Sequence, residues 1–153
     1  MNWDAIGAVA EAIGSIAVFI TLGYLALQIR QANRIARSTS KNQYKSGALD
    51  TLSSISGDSE ASKIYTTGMV DPDSLTLDER VRFDLMIFQT LRVTESAFFE
   101  YKEGLLSAEL WGSQWRGELK VLSTAGGRAS WVRQKDLLAT SFMEWVDENL
   151  PAA

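Results

Sequence analysis

From Ala5 to Ile29 the chain runs 25 residues with one charged position, Glu11, and the next charge is Arg30. Coiled as a helix, such a run reaches about 37 Å, enough to cross a hydrocarbon core of about 30 Å with some tilt. The pattern predicts a single transmembrane helix over 5–29, preceded by a short extracytoplasmic segment over 1–4. Nothing stops the helix at Ile29: Leu27-Gln28-Ile29-Arg30-Gln31-Ala32 are good helix formers. A basic juxtamembrane helical extension is therefore expected over 30–56, closed by Gly57 and Asp58.

Beyond Gly57 the apolar residues recur at helical spacing and no alternating strand pattern competes. A short helix is expected from Ser59 to Thr67, with Gly68 as a left-handed cap. Val70–Ser74, containing Pro72, reads as a turn. Thr76-Leu77-Asp78-Glu79 has the form of a capping box, in which Thr76 and Glu79 satisfy each other's backbone N–H groups. It opens a long helix to about Glu103, stopped by Gly104, whose apolar residues cover more than one face, as in a central buried helix. Ser107 caps the next helix, with Leu110, Trp111, Trp115, Leu119 and Leu122 inward, and Thr124–Gly127 breaks it. A further short helix is expected around Trp131–Leu138. Ser141-Phe142-Met143-Glu144 is a second capping-box pattern opening a last helix. The fold class is thus all-α: one N-terminal transmembrane helix continuing into the cytoplasm, then a small helical bundle, with 57–153 as the cytoplasmic helical domain.

Charge sets the orientation. Arg30, Arg34, Arg37, Lys41 and Lys45 follow the apolar run with no acid before Asp50, and no Lys or Arg precedes it. The positive-inside rule puts that side in the cytoplasm and the N-terminus outside. A cleaved signal peptide would instead have a basic start, a shorter apolar core and a small-x-small cleavage site. The five basic residues suit anionic lipid headgroups. Residues 46–153 carry ten basic and seventeen acidic groups, so the body is acidic and nucleic acid is not an expected partner.

Histidine and cysteine are absent. Their absence removes thiol and Ser-His-Asp catalysis, His-ligated haem, and nearly all zinc and di-iron sites. Only an oxygen-ligated Mg²⁺ or Ca²⁺ would remain for Glu95, Glu100, Glu103 and Glu109, and no metal, cofactor or catalytic residue is assigned.

The elements Tyr24-Leu25-Ala26-Leu27-Gln28-Ile29-Arg30-Gln31, Glu100-Tyr101-Lys102-Glu103-Gly104-Leu105-Leu106, Leu110-Trp111 and Gly126-Gly127-Arg128-x-x-Trp131 occur in that order. In them the chain resembles a widespread uncharacterised bacterial family of small proteins with one N-terminal transmembrane helix and a helical cytoplasmic domain. The resemblance spans nearly the whole chain and implies a bacterial inner-membrane location. It carries over no functional residues. Thr124-Ala125 stands where the family pattern has a proline.

Several groupings are candidates for function. Gly7, Ala10, Gly14, Ala17, Thr21 and Tyr24, continued by Gln28 and Gln31, form a stripe spaced 3,4,3,4, the period of a left-handed helix pair. Small residues let helix backbones approach closely in lipid. The plain alternative is a chance run of small residues. Glu11 is a candidate ion or proton site if it faces a neighbouring helix or water, and otherwise a carboxyl near the headgroups. Gln28 and Gln31 would line a pore or bond between helices. Arg92 and Glu95 read as a buried, mutually paired couple. Gly126-Gly127-Arg128 lacks the spacing and lysine of a P-loop and reads as an interhelical turn. Trp111, Trp115, Trp131 and Trp145 read as core.

The expectation is a non-enzymatic single-span protein that self-associates through its small-residue face as a scaffold or accessory subunit. Its partners would be membrane lipid, further copies of itself, or another membrane protein. The alternative is a homo-oligomeric ion channel whose pore is the transmembrane helix itself.

Overall fold

The computed structural model describes the backbone over residues 3–151 and every side chain from 57 to 151. Before residue 57 it describes the side chains of 11, 14–36, 38, 39, 46, 47, 49, 50, 52, 53, 55 and 56. The chain is all-α, with no strand among the described residues: α1 (Trp3–Ser56), α2 (Ser59–Val70), α3 (Leu77–Lys102), α4 (Ala108–Leu122), α5 (Ala125–Gln134) and α6 (Thr140–Asn149). Short 3₁₀ turns at Pro72–Ser74 and Lys135–Leu137 complete the connections.

Two units divide the chain within α1, Met1–Thr39 and Ser40–Ala153. In the first, α1 stands uncovered: over Gly14–Ala36, 23 residues of mean hydropathy 1.3, no part is buried. Ile16, Phe19, Ile20, Leu27 and Ile29 are all exposed. This is one helix, among the described residues, long and apolar enough to cross a membrane.

In the second unit local chemistry sets most helix starts. Asp58 caps α2, accepting from the Glu60 and Ala61 amides at 2.7 and 3.0 Å, and those bonds hold its carboxyl below the usual range. Thr76 and Glu79 form the expected capping box on α3, the Thr76 N–H donating to the Glu79 carboxylate at 2.9 Å. Ser107 and Thr124 cap α4 and α5. Gly104 ends α3 with φ +73°, a left-handed conformation that side-chain-bearing residues rarely take.

Three expectations fail for reasons of packing. Gly68 does not stop α2, which runs on to Val70. It is buried, and a Cβ there would come within 2.5 Å of the Phe83 ring. Gly126 and Gly127 are not a break either. They form the first turn of α5, and a Cβ on Gly126 would overlap the Gly68 carbonyl oxygen, so glycine permits a backbone-to-backbone crossing of α2 and α5. The Ser141–Glu144 pattern forms no capping box: α6 begins at Thr140, its N-cap is Ala139, and no side chain caps it locally.

α3 packs against α2, α4 and α5. Its buried positions Phe83, Ile87, Leu91, Thr94 and Phe98 follow one stripe, whereas Val81 and Leu85 stand in solvent. Phe98 meets Trp111, Phe142 and Trp145 with ring centroids 5.8, 5.5 and 5.6 Å away. Trp111 and Trp131 are buried, and Trp115 and Trp145 pack half-buried against the same core. The Trp131 indole N–H donates to Asp147 at 2.8 Å.

Candidate functional site

The small-residue stripe lies on α1. Gly14, Ala17, Thr21 and Tyr24 are exposed, and a Cβ on Gly14 would meet nothing within 4 Å. Gly7 and Ala10 lie outside the described residues. Polar side chains on this helix are bonded within it. The Thr21 hydroxyl donates to the Ala17 carbonyl at 2.8 Å, Ser15 to Glu11 at 2.9 Å, and the Gln28 amide to the Tyr24 hydroxyl at 2.8 Å. Such local bonding removes much of the cost of carrying hydroxyl and amide groups into lipid. Glu11 and Gln31 are exposed, as are Arg30 and Arg34 of the basic collar. Arg37, Lys41 and Lys45 lie outside the described residues.

The Arg92–Glu95 couple forms, but only half of it is buried. The Glu95 carboxylate is enclosed, while the Arg92 guanidinium reaches solvent with more than half its side chain exposed. Glu95 also accepts the Ala139 backbone N–H at 2.6 Å, which ties the start of α6 to α3. Glu100, Glu103 and Glu109 join no metal-binding group of three or more among the described residues. Burial, with the Glu103 charge beside it, raises the Glu100 carboxyl above its ordinary range.

A different acid organises the interior. Glu118 of α4 is 4% exposed, set against α3. The Thr94 hydroxyl donates to its Oε2 at 2.9 Å, and the Thr90 Oγ1 lies 3.1 Å from its Oε1. Gln114 completes the network by donating to the Thr94 oxygen at 2.7 Å. Thr90 also lies 2.8 Å from the Ile87 carbonyl oxygen, and its hydroxyl has one proton for two acceptors. With Glu118 ionised, that proton points at the carboxylate. With Glu118 neutral, the acid O–H donates to Thr90, and Thr90 turns to Ile87. The hydroxyl therefore keeps the carboxyl bonded in both protonation states.

Burial pushes the Glu118 carboxyl up to about 7, and the Thr94 and Thr90 hydroxyls only partly offset that rise. Tyr65, on α2, feels the same acid: burial first and the Glu118 charge second raise its phenol. Beside Glu118 opens a cavity of about 380 Å³ walled by the end of α1 and by α2, α3 and α4. Leu52, Ile55, Tyr65, Val93 and Val121 give it apolar sides, and among the described residues none that lines it is Lys or Arg.

The sequence reading missed Glu118, although a signal was present. Trp111, Trp115, Glu118 and Leu122 recur at spacings of four, three and four, which puts an acid on the inward stripe of α4. Thr94 holds the equivalent place on the stripe of α3. Searches of protein-family models, of curated proteins and of solved structures find no match to this chain.

Proposed function

We propose that the chain is a single-span protein of the bacterial inner membrane. In this reading α1 anchors it, the N-terminus faces out, and the helical domain lies in the cytoplasm as a non-enzymatic scaffold or accessory subunit. The supporting observation is the uncovered apolar surface of α1 from Gly14 to Ala36. A contiguous apolar surface of that size favours lipid or a partner over water. Arg30 and Arg34 at its far end agree with the proposed orientation. The family resemblance in the Tyr24–Gln31 element agrees with it too. Self-association would use the edge carrying Gly14, Ala17, Thr21 and Tyr24, where small side chains leave room for a second backbone. A pore is the weaker alternative, because the Gln28 amide is already engaged by Tyr24 on its own helix.

Membrane fractions washed with alkaline carbonate test the anchor: the protein should stay in the pellet, and release into the supernatant would refute it. The chain has no cysteine, so a Ser59→Cys variant carries one labelling site. An impermeant maleimide should reach it only in permeabilised cells. In mild detergent, light scattering should give a multimer for the native protein and a smaller species for Gly14→Leu. A monomeric native protein would remove self-association.

A further inference from the structure

The cavity beside Glu118 has the attributes of a small-molecule site. Its volume of about 380 Å³ falls within the usual range for such sites, roughly 300–1,000 Å³. Most of its wall is apolar, and the polar groups that reach it converge from α3 and α4. Among the described residues no Lys or Arg stands beside the buried Glu118 carboxyl. Among the described lining residues, α1 contributes Leu52, Ile55 and Ser56, α3 contributes Thr90 and Val93, and neither offers a charge. From α2 the titratable group facing it is Tyr65, which is neutral at physiological pH, and from α4 it is Glu118 alone. A buried carboxylate without a counter-charge is costly, and a cation delivered to it recovers much of that cost.

The acceptor count agrees. A carboxylate offers about four lone-pair directions, and the two threonines occupy two of them. An ammonium brings three N–H donors for the remainder. A divalent metal ion wants six or more oxygen ligands, several of them charged, which one carboxylate does not provide. An anionic ligand would be repelled. We propose that this cavity binds a small, largely apolar primary amine, with the ammonium paired to the Glu118 carboxylate and the hydrocarbon body against Leu52, Ile55, Tyr65, Val93 and Val121. No bond between heavy atoms changes. An amine that arrives protonated and meets a neutral Glu118 displaces the carboxyl proton to solvent, so charge and protons balance. This inference does not depend on whether the chain self-associates.

Calorimetric titration of the full chain in detergent micelles tests it, with 2-phenylethylamine as the probe and 2-phenylethanol as its uncharged comparator. Because the Glu118 carboxyl titrates near 7, amine binding should be about tenfold tighter at pH 8 than at pH 6. The alcohol should bind at least about tenfold more weakly than the amine at pH 8, since it cannot supply the charge. Glu118→Gln keeps the shape and the threonine contacts and should abolish the preference for the amine. Gly117 is exposed at the cavity, and a Cβ there would meet nothing within 4 Å, so Gly117→Phe should fold, leave Glu118 in place and obstruct entry. No saturable amine binding at millimolar concentration, equal binding of the alcohol, or amine binding that survives both substitutions would each overturn the proposal. If Glu118→Gln fails to fold, the Gly117→Phe result decides alone.

Discussion

Glu118 makes the stability of the helical domain depend on pH in a window where few other groups in this chain titrate. Its carboxyl stands near 7 in the fold against an ordinary 4.5. Below pH 4.5 both folded and unfolded chains hold the proton, and the full contribution to stability is present. As pH rises, the unfolded chain ionises first, and the folded chain must follow at the cost of a buried charge. Stability therefore falls from about pH 4.5 to 7 and levels off above. That rise corresponds to about 3 kcal/mol, most of it lost between pH 5 and pH 8. That is a large share of the usual net stability of a domain. The chain has no histidine to confuse the window. Among the described residues Glu100, also raised, acts in the same direction, whereas Asp58 and Glu79 are lowered and lose their contributions in more acidic solution. Urea unfolding followed by tryptophan fluorescence, at half-unit steps from pH 5 to pH 8, measures the slope. The Glu118→Gln protein should be flatter by about 2–3 kcal/mol across that range. Equal slopes for the two proteins would refute the assignment of a neutral, buried acid to this position.

Two further outcomes follow from the same packing. Gly126→Ala places a methyl group against the Gly68 carbonyl at the crossing of α2 and α5, and neither backbone can yield cheaply. It should destabilise the domain by at least about 2 kcal/mol, read as a lower urea midpoint with an unchanged slope. Thr76→Ala removes the hydroxyl half of the capping box on α3 and should cost about 1 kcal/mol in the same assay.

How much of this the sequence disclosed follows from where each signal resides. Caps and breaks decided by neighbours in the chain were legible: Asp58 after Gly57, Thr76 with Glu79, Ser107, and Gly104 with its positive φ. The uncovered apolar run of α1 was legible because only composition and length enter. What a glycine does was not, because the same residue serves a turn or a tight crossing. Gly68 is fixed by the Phe83 ring of α3, and Gly126 by the Gly68 carbonyl of α2, fifty-eight positions away in sequence. Glu118 falls between these cases. Its inward register was readable from Trp111, Trp115 and Leu122, but its two threonine partners lie 24 and 28 residues away on another helix. Only the folded chain brings an acid, two hydroxyls and an apolar cavity together.

The start of α6 shows how a local motif yields to a tertiary one, and it can be measured. Ser141 and Glu144 have the letters of a capping box, yet the helix begins two residues earlier than that box implies, at Thr140, and Ser141 lies within it, exposed. The Ala139 N–H instead donates to the Glu95 carboxylate of α3 at 2.6 Å, a charge-assisted bond in a partly buried setting. An enclosed acceptor on a rigid neighbouring helix fixes this N-cap residue in place, whereas a box made by two exposed side chains would first have to order both of them. Glu95→Ala should therefore cost about 2–3 kcal/mol, since it strands the Ala139 donor as well as opening a gap. Glu95→Gln keeps an acceptor oxygen and should cost clearly less. Arg92→Ala removes a guanidinium that is more than half exposed and should cost under about 1 kcal/mol. Ser141→Ala and Glu144→Ala should each fall within about 0.5 kcal/mol of the native protein, as surface changes do. The ordering is the decisive reading: a larger loss at Ser141 than at Glu95 would mean that the local motif, and not the contact from α3, starts the helix.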